Sequence, residues 1–156
     1  MTTLYIDGDA CPVKDEAYKV AQRYGLAVKL VANAFINAPR ASWLERVVVE
    51  AGPDAADDWI AERARVGDVV VTGDIPLADR CLKAGAVVIG PTGKPFTPDS
   101  IGAALAGRAV GEHLRSMGEV TGGAKPFGAA DRSRFLQALD EAVHRARRSA
   151  AQRRTP

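Results

Sequence analysis

The sequence has 156 residues, of which 47% are hydrophobic and 26% charged, with 21 Lys and Arg against 19 Asp and Glu. These values exclude intrinsic disorder and a fibrous repeat. A chain of this length can bury a hydrophobic core without disulfide bonds or structural metal ions. No stretch reaches the roughly 18 uncharged apolar residues of a membrane span, and two cysteines are too few for a disulfide framework. The first residues lack a basic segment and a cleavage site, so we expect a cytoplasmic protein.

The net charge of +2 hides a difference between two parts of the chain. Residues 1–100 carry 11 Lys and Arg against 14 Asp and Glu, and residues 101–156 carry 10 against 5. This asymmetry predicts carboxylates with a local role and a cationic surface that attracts a polyanion. A solvated helix face followed by a disordered tail at residues 151–156 is the plainer interpretation of the charge alone.

Strand and helix patterns alternate through the first 90 residues. Short apolar runs predict strands at residues 3–6, 27–32, 68–72 and 86–89, and the centre of another strand at 47–49. Proline, aspartate and glycine punctuation predicts helices at residues 12–24, 54–65 and 76–84. After a proline-rich loop, two further helices are predicted at residues 100–117 and 130–148.

This alternation is typical of βαβ units. It predicts a three-layer α/β fold with a mostly parallel sheet, in one domain over residues 1–150 that includes the C-terminal helices. Ligands of such sheets bind in the crevice at the carboxyl ends of the strands. That edge is therefore where we expect the functional residues.

Four aspartates carry the sharpest chemical prediction. Asp7 ends the first strand, Asp9 lies just beyond it, and Asp74 follows the central Val-Val-Val-Thr strand, so all three are expected at one sheet edge. Asp57 begins the helix at residues 54–65 on a face that it shares with neighbouring acids. Carboxylates gathered in this way repel one another unless a cation neutralises them. The pattern predicts Mg²⁺ or Mn²⁺ at these four residues, and catalysis of phosphodiester hydrolysis there.

Each acid taken singly also has a structural explanation. Asp9 precedes a helix and fits an N-cap, and Asp74 before Ile75 and Pro76 fits a cap or a turn. Caps alone do not require acids at two strand ends of one edge, so the pair Asp7 and Asp74 favours a site.

Several segments together resemble the YaiI/YqxD family of bacterial proteins. They are Ile-Asp-Gly-Asp-Ala-Cys-Pro-Val at residues 6–13, Leu-Val-Ala-Asn at 30–33, Ala-Asp at 56–57, Val-Thr-Gly-Asp-Ile-Pro-Leu-Ala at 71–78, Thr-Gly-Gly at 121–123 and Asp-Arg at 131–132. The resemblance covers nearly the whole chain in order. It implies a PIN-like α/β domain with Asp7, Asp9, Asp57 and Asp74 at its acidic site.

Other residues near these motifs are candidates for accessory roles. Cys11 at a helix start could have a lowered pKa and act as a nucleophile, or could simply be a small buried residue. Asn33 could orient an acid or contact phosphate, and Thr72 could donate a hydrogen bond to a carboxylate or face the core.

Candidate phosphate contacts lie in loops and in the basic C-terminal part. They are Arg40, Gly122, Gly123 and Arg132. Five further arginines favour a nucleic-acid backbone, RNA first, through counterion release: Arg145, Arg147, Arg148, Arg153 and Arg154. Few aromatic residues interleave with them, so no stacking of single-stranded bases is predicted.

Three functions remain open at this stage. The first is a nuclease that depends on a divalent metal. The second is a phosphatase of the haloacid-dehalogenase type with Asp7 as nucleophile, although such an enzyme needs a Ser or Thr where Asn33 stands, and a suitable Lys. The third is a nucleic-acid-binding domain without turnover. The oligomeric state is not predictable from these patterns.

Overall fold

The computed structural model describes residues 2–50, 52, 54–103, 105–106 and 128–154. The strands are β1 (Thr3–Asp7), β2 (Ala27–Ala32), β3 (Leu44–Val48), β4 (Val69–Val71) and β5 (Val87–Ile89). The helices are α1 (Lys14–Tyr24), α2 (Ala55–Arg63), α3 (Ile75–Lys83) and α4 (Ala129–Arg154). A short 3₁₀ turn, Gly8–Ala10, follows β1, and residues 98–103 are also helical.

All five strands are parallel and lie in the order β3-β2-β1-β4-β5. The central strand β1 pairs with β2 from Thr3 to Asp7 and with β4 from Leu4 to Ile6. Helices cover both faces, which confirms the predicted three-layer α/β fold. Because β1 and β4 are neighbours, the acids that follow them end at the same edge of the sheet.

The core consists of two clusters, one on each face of the sheet. On one face Leu4, Ile6 and Val28 pack with residues of α1 and α4. On the other face Tyr5 and Val70 pack with residues of α2 and α3. This alternation is the two-residue period of a strand, and it assigns each side chain to a face.

The same period assigns three polar residues to the α2 and α3 face. Tyr5, Val31 and Val70 are buried there. The residues two places after them, each at the carboxyl end of its strand, are Asp7, Asn33 and Thr72. The carboxyl edge of the sheet therefore carries a carboxylate, an amide and a hydroxyl at the ends of three neighbouring strands.

Helix α4 crosses the α1 face. Phe135, Leu139 and Val143, spaced four residues apart along the helix, are fully buried against the sheet. The helix continues to Arg154, past the predicted end at residue 148, so residues 151–154 are helical where a disordered tail was expected.

Other boundaries differ from the predictions for local reasons. Helix α1 begins at Lys14 and not at Pro12, because the backbone of Val13, with φ of −116° and ψ of 31°, is not helical and forms the N-cap. The helix ends as predicted at Gly25, whose φ of 64° is the left-handed conformation that glycine favours. Of the predicted helix at 100–117, residues 100–103 and 105–106 are helical, and the rest lies outside the described residues.

In the described ranges, no helix combines the length and the apolar character needed to cross a bilayer. The cytoplasmic address stays a prediction.

Candidate active site at the carboxyl edge of the sheet

Asp7 is held in place by a hydroxyl group from the neighbouring strand. Thr72 Oγ1 donates a hydrogen bond of 2.9 Å to Asp7 Oδ2, which confirms the prediction that this hydroxyl serves a carboxylate. The backbone N–H of Asp74 in turn donates to Thr72 Oγ1 at 3.0 Å. Thr72 is only 1% exposed, so the hydroxyl group is fixed between the two acidic positions. The structure thus brings Asp7 and Asp74 together through one side chain.

Asp74 has two roles. It is the N-cap of α3, and its Oδ1 accepts a hydrogen bond of 2.9 Å from the backbone N–H of Leu77, which confirms the cap. Its charge also raises the pKa of both Asp7 and Asp57. The capping role and the site role are compatible, because the cap engages one of the two carboxylate oxygens.

Asp9 and Asn33 lie on the outer side of this edge. Asp9 is exposed within the 3₁₀ turn, and both of its carboxylate oxygens accept from the backbone N–H of Asn33, at 3.1 and 3.2 Å. Asp9 is therefore not the N-cap of α1. The side-chain oxygen of Asn33 is buried, with no hydrogen-bond partner among the described residues. A buried acceptor without a partner is costly, so a ligand that donates to it would be favoured.

Gly8 allows the turn between Asp7 and Asp9 to lie close to β2. A Cβ at position 8 would lie 2.9 Å from Leu30 Cδ1 and 3.1 Å from the backbone oxygen of Val31. The Asp-Gly-Asp motif therefore needs glycine for close packing, and this packing holds the two acids at the sheet edge.

Asp57 completes the cluster from α2. Burial raises its pKa to about 6, with further increases from the charges of Asp74, Asp7 and Asp54. Burial also raises the pKa of Asp7, with Asp9 and Asp74 adding to the effect and the Thr72 hydroxyl opposing it. The charges of the four acids predicted from the sequence therefore interact: Asp9 and Asp74 act on Asp7, and Asp7 and Asp74 act on Asp57.

No Lys or Arg in the described ranges forms a salt bridge with Asp7, Asp57 or Asp74. Arg80 of α3 is close enough to lower the pKa of Asp57, but its guanidinium bonds to Asp58 at 2.7 Å. Sequence reasoning missed Arg80, since α2 and α3 must pack before it nears the cluster.

The donor set fits a hard divalent cation. Carboxylate and amide oxygens are the ligands that Mg²⁺ prefers, and it commonly uses one or two carboxylates and keeps several waters. Across the described ranges, no group of three or more His, Cys, Asp or Glu side chains is arranged to hold an ion alone. A water-rich site with few protein ligands agrees with both observations.

The surroundings of Cys11 do not fit a nucleophile. It lies before α1 and is buried, and burial raises the pKa of its thiol, where a nucleophile needs a lowered pKa. Burial outweighs the lowering of this pKa by the Val13 backbone and Lys14, which supports the alternative that Cys11 is a small buried residue. Cys11 contributes to the core on the α1 face.

The arginine and glycine residues predicted to contact phosphate lie in different parts of the chain. Arg132 donates to Glu16 Oε1 at 2.9 Å and to the backbone oxygen of Pro12 at 3.1 Å, so it ties α4 to the segment after β1. Arg40 is exposed just before β3, near the amino ends of the strands, and the structure does not bring it to the acidic edge. Gly122 and Gly123 lie outside the described residues.

The comparisons with known proteins agree with the motifs. A family described as "Uncharacterized BCR, YaiI/YqxD family" matches residues 5–145. A UPF0178 protein of a Caulobacter species is 67% identical over 148 residues, covering 95% of this chain and 98% of the relative. A UPF0178 protein of Rhodopseudomonas palustris is 60% identical over 152 residues, covering 97% and 96%.

No solved structure matches, so the PIN-like description of the fold stays a prediction. The family match covers residues 5–145 and so includes the acidic motifs at the sheet edge. The chain belongs to the YaiI/YqxD family, whose members are uncharacterised bacterial proteins.

Proposed function

We propose that this protein hydrolyses phosphodiester bonds in nucleic acid, with RNA as the first substrate to test and Mg²⁺ or Mn²⁺ as cofactor. One observation carries the proposal. Burial raises the pKa of Asp7 and Asp57, the nearby charges of the other acids raise it further, and no described basic side chain forms a salt bridge with Asp7, Asp57 or Asp74. A structural role alone does not explain three unpaired acids at the edge where ligands bind.

The chemistry of the cofactor fits this arrangement. A divalent cation bound at the edge would neutralise the carboxylates and the phosphate and would activate water for in-line displacement at phosphorus. Asp7 and Asp74 are the proposed ligands, with Asp9, Asp57 and the buried oxygen of Asn33 available around them.

In this proposal, Thr72 orients the Asp7 carboxylate and Asp57 transfers a proton. Thr72 fixes the Asp7 carboxylate, and the buried position of Thr72 keeps that bond from exchanging with water. A carboxyl group with a pKa of about 6, such as Asp57, can hold or release a proton near neutral pH. Asp57 is therefore the proposed acid–base residue in the absence of a direct bond to the cation.

Basic residues that could hold a polyanion lie along α4. Arg145 and Arg148, together with His144, line a groove of about 460 Å³ between α4 and the segment after β5. Arg147 is engaged by the backbone oxygen of Tyr24 at 2.7 Å. Contacts of the free arginine side chains to phosphate would be independent of base sequence.

Cleavage of labelled oligonucleotides tests the proposal. Purified protein is incubated with a 5′-labelled RNA or DNA strand in Mg²⁺, Mn²⁺ or EDTA. We expect cleavage with either cation and none in EDTA. Asp7→Asn should lower the rate by at least about 100-fold and should unfold cooperatively in EDTA, which shows that the variant is folded. The matched control is Asp15→Asn, an exposed acid on α1 across the sheet, which should cleave like the wild type.

A phosphatase or a binding domain without turnover would give different experimental results. Transfer of phosphate from a small phosphoester to Asp7 would favour the phosphatase and contradict the nuclease, although Asn33 stands where that mechanism needs a hydroxyl. Salt-dependent binding of RNA with no cleavage under any cation would favour a binding domain without turnover.

A further inference from the structure

An aromatic side chain is exposed beside the acidic edge. Phe35 lies in the loop after β2 and is 66% exposed, the highest value among the described large hydrophobic residues. An aromatic ring in water exposes a large apolar area, which a ligand with a flat face can cover. The ring is therefore a candidate contact surface.

A cation already lies against this ring. The guanidinium carbon of Arg46 lies 4.3 Å from the centre of the Phe35 ring, a cation–π distance. Arg46 Nη1 also donates to the backbone oxygen of Ile36 at 3.4 Å, which holds the arginine to the loop. With Arg46 on one face and most of the residue exposed, a second flat group can stack on the remaining face. We call Phe35 and Arg46 the stacking pair.

The loop that carries Phe35 is fastened to the acidic motif. Asn33, two residues earlier, donates its backbone N–H to Asp9. Ile36, one residue later, packs so close to Gly8 that a Cβ there would lie 3.1 Å from Ile36 Cδ1. Two residues of chain separate Cα atoms by at most about 7 Å, so the backbone at Phe35 lies near that of Asn33. Arg46 pairs with Leu30, and Leu30 and Ile36 pack on the α1 face, so the stacking pair lies beside the carboxyl edge on that face.

Positive charge continues beyond the pair. Arg46 and Arg40 line one groove of about 390 Å³ with Pro39 and Glu45, and Glu45 is engaged by Lys29 in a salt bridge of 2.5 Å. Arginines beside an exposed ring suit a ligand that has both a flat apolar face and negative charge. Unpaired nucleotides have both, whereas the bases of a duplex are covered by their neighbours.

We infer that Phe35 and Arg46 form a stacking site for an unpaired base of a single-stranded nucleic acid, with Arg46 contacting the adjoining phosphate. The inference deepens the proposed function, on which it rests, by naming single strands as the substrate. The sequence pattern alone does not support such stacking, because few aromatic residues interleave with the basic ones.

Binding measured in EDTA tests the inference apart from cleavage. The probes are three twelve-nucleotide strands of equal length: oligouridine, oligothymidine, and an abasic strand with the same phosphates but no bases. The wild type should bind the strands with bases more tightly than the abasic strand. Phe35→Ala should weaken binding of oligouridine by about tenfold and leave the abasic strand unchanged.

Further variants separate stacking from charge. Phe35→Trp should restore the preference for strands with bases, and bound oligouridine should quench the emission of the new indole. Arg46→Ala should reduce the dependence of log K on log salt by about one phosphate contact, whereas Phe35→Ala should not change this slope. The matched control is Val48→Ala, since Val48 is an exposed apolar residue of β3, 55% exposed, and lacks a ring.

Several results would overturn the inference. These are equal loss of duplex and single-strand binding in Phe35→Ala, equal affinity of the wild type for abasic and base-containing strands, or no binding of any strand. A dimer of the wild type that dissociates in Phe35→Ala would instead assign the ring to contact between copies. Phe35→Leu, which keeps an apolar residue, guards against a folding defect, with the unfolding midpoint as the check.

These assays distinguish failure of the stacking site from failure of the proposed nuclease. Base-dependent binding that requires Phe35, without cleavage in any cation, would support the stacking site and contradict the nuclease. Cleavage that is unaffected by Phe35→Ala at subsaturating substrate would support the nuclease and contradict the stacking site. Parallel assays with oligouridine and oligothymidine distinguish RNA from DNA.

Discussion

The two edges of the sheet place an aspartate in different surroundings. Asp68, before β4 at the amino edge, is 8% exposed and its two carboxylate oxygens each accept a backbone N–H bond of 3.0 Å, from Thr3 and from Arg65. Asp7, at the carboxyl edge, receives one bond from a hydroxyl and faces the charges of Asp9 and Asp74. Burial raises the pKa of both acids.

The difference that matters lies in the neighbouring groups. Asp68 joins the first residue of β1 to the end of the segment after α2, and its donors are backbone groups that need an acceptor there. Asp7 has like charges for neighbours, an arrangement that costs stability and that a bound cation would relieve. The amino edge therefore uses its carboxylate to satisfy backbone donors, whereas the proposed function assigns Asp7 at the carboxyl edge to a cation.

The largest expected effect is stabilisation by the cation. If the carboxyl edge binds Mg²⁺ or Mn²⁺, a concentration of about 100 times Kd should raise the free energy of unfolding by about 2.7 kcal/mol. Asp7→Asn should lose this stabilisation, and Asp68→Asn should keep it. Denaturant unfolding with and without the cation measures both. Equal stability with and without the cation, up to millimolar concentrations, would contradict the metal site.

The next effect concerns the amino edge. Asp68→Asn places an amide NH₂ where a backbone N–H now donates, and we expect a loss of about 1–3 kcal/mol in the free energy of unfolding at pH 7. The companion change Asp7→Asn should cost less, because it removes charge repulsion. Urea titration of both variants gives the comparison. A smaller loss for Asp68→Asn than for Asp7→Asn would reverse our assignment of the two edges.

The smallest effect is a pH dependence from Asp57. Its pKa is raised to about 6 from 3.8, so the folded protein keeps a proton that the unfolded chain has released, and stability falls as pH rises from about 4 to above 6. Because Asp57 is only partly buried, we expect about 1 kcal/mol from this residue. Asp57→Asn should be more stable than the wild type at pH 8 and should show a shallower decline.

Unfolding midpoints from pH 4 to 8 in EDTA check this pH dependence. Asp15→Asn, whose side chain is exposed across the sheet, is the control and should keep the slope of the wild type. A wild-type stability that rises steadily between pH 5 and 8, or an unchanged slope in Asp57→Asn, would refute the shift.

The regular parts of the fold were predictable from local patterns. Strand β2 has the predicted bounds, 27–32, because its apolar run is framed by Gly25 and by the loop at Asn33. The bounds of β3 were missed, since Glu45 and Arg46 interrupt the apolar pattern of this edge strand. An edge strand tolerates such residues because one side and much of its faces meet water.

The candidate site was predictable only in part. The strand ends gave Asp7 and Asp74, and the hydroxyl of Thr72 follows from the same alternation. The partner of Arg132 was not predictable, because Glu16 lies 116 residues away on another helix. The stacking pair was missed for the same reason, since Phe35 and Arg46 belong to a loop and to a strand whose start was not recognised.

The sequence by itself determined the parallel α/β layers, the family and the set of acids at strand ends, because periodicity and punctuation are local properties of the chain. Only the tertiary structure decided which carboxylates receive hydrogen bonds, which share an unrelieved charge and which cation lies on which ring. Desolvation and Coulomb interactions depend on distances between segments far apart in sequence, and those distances exist only once the layers have packed.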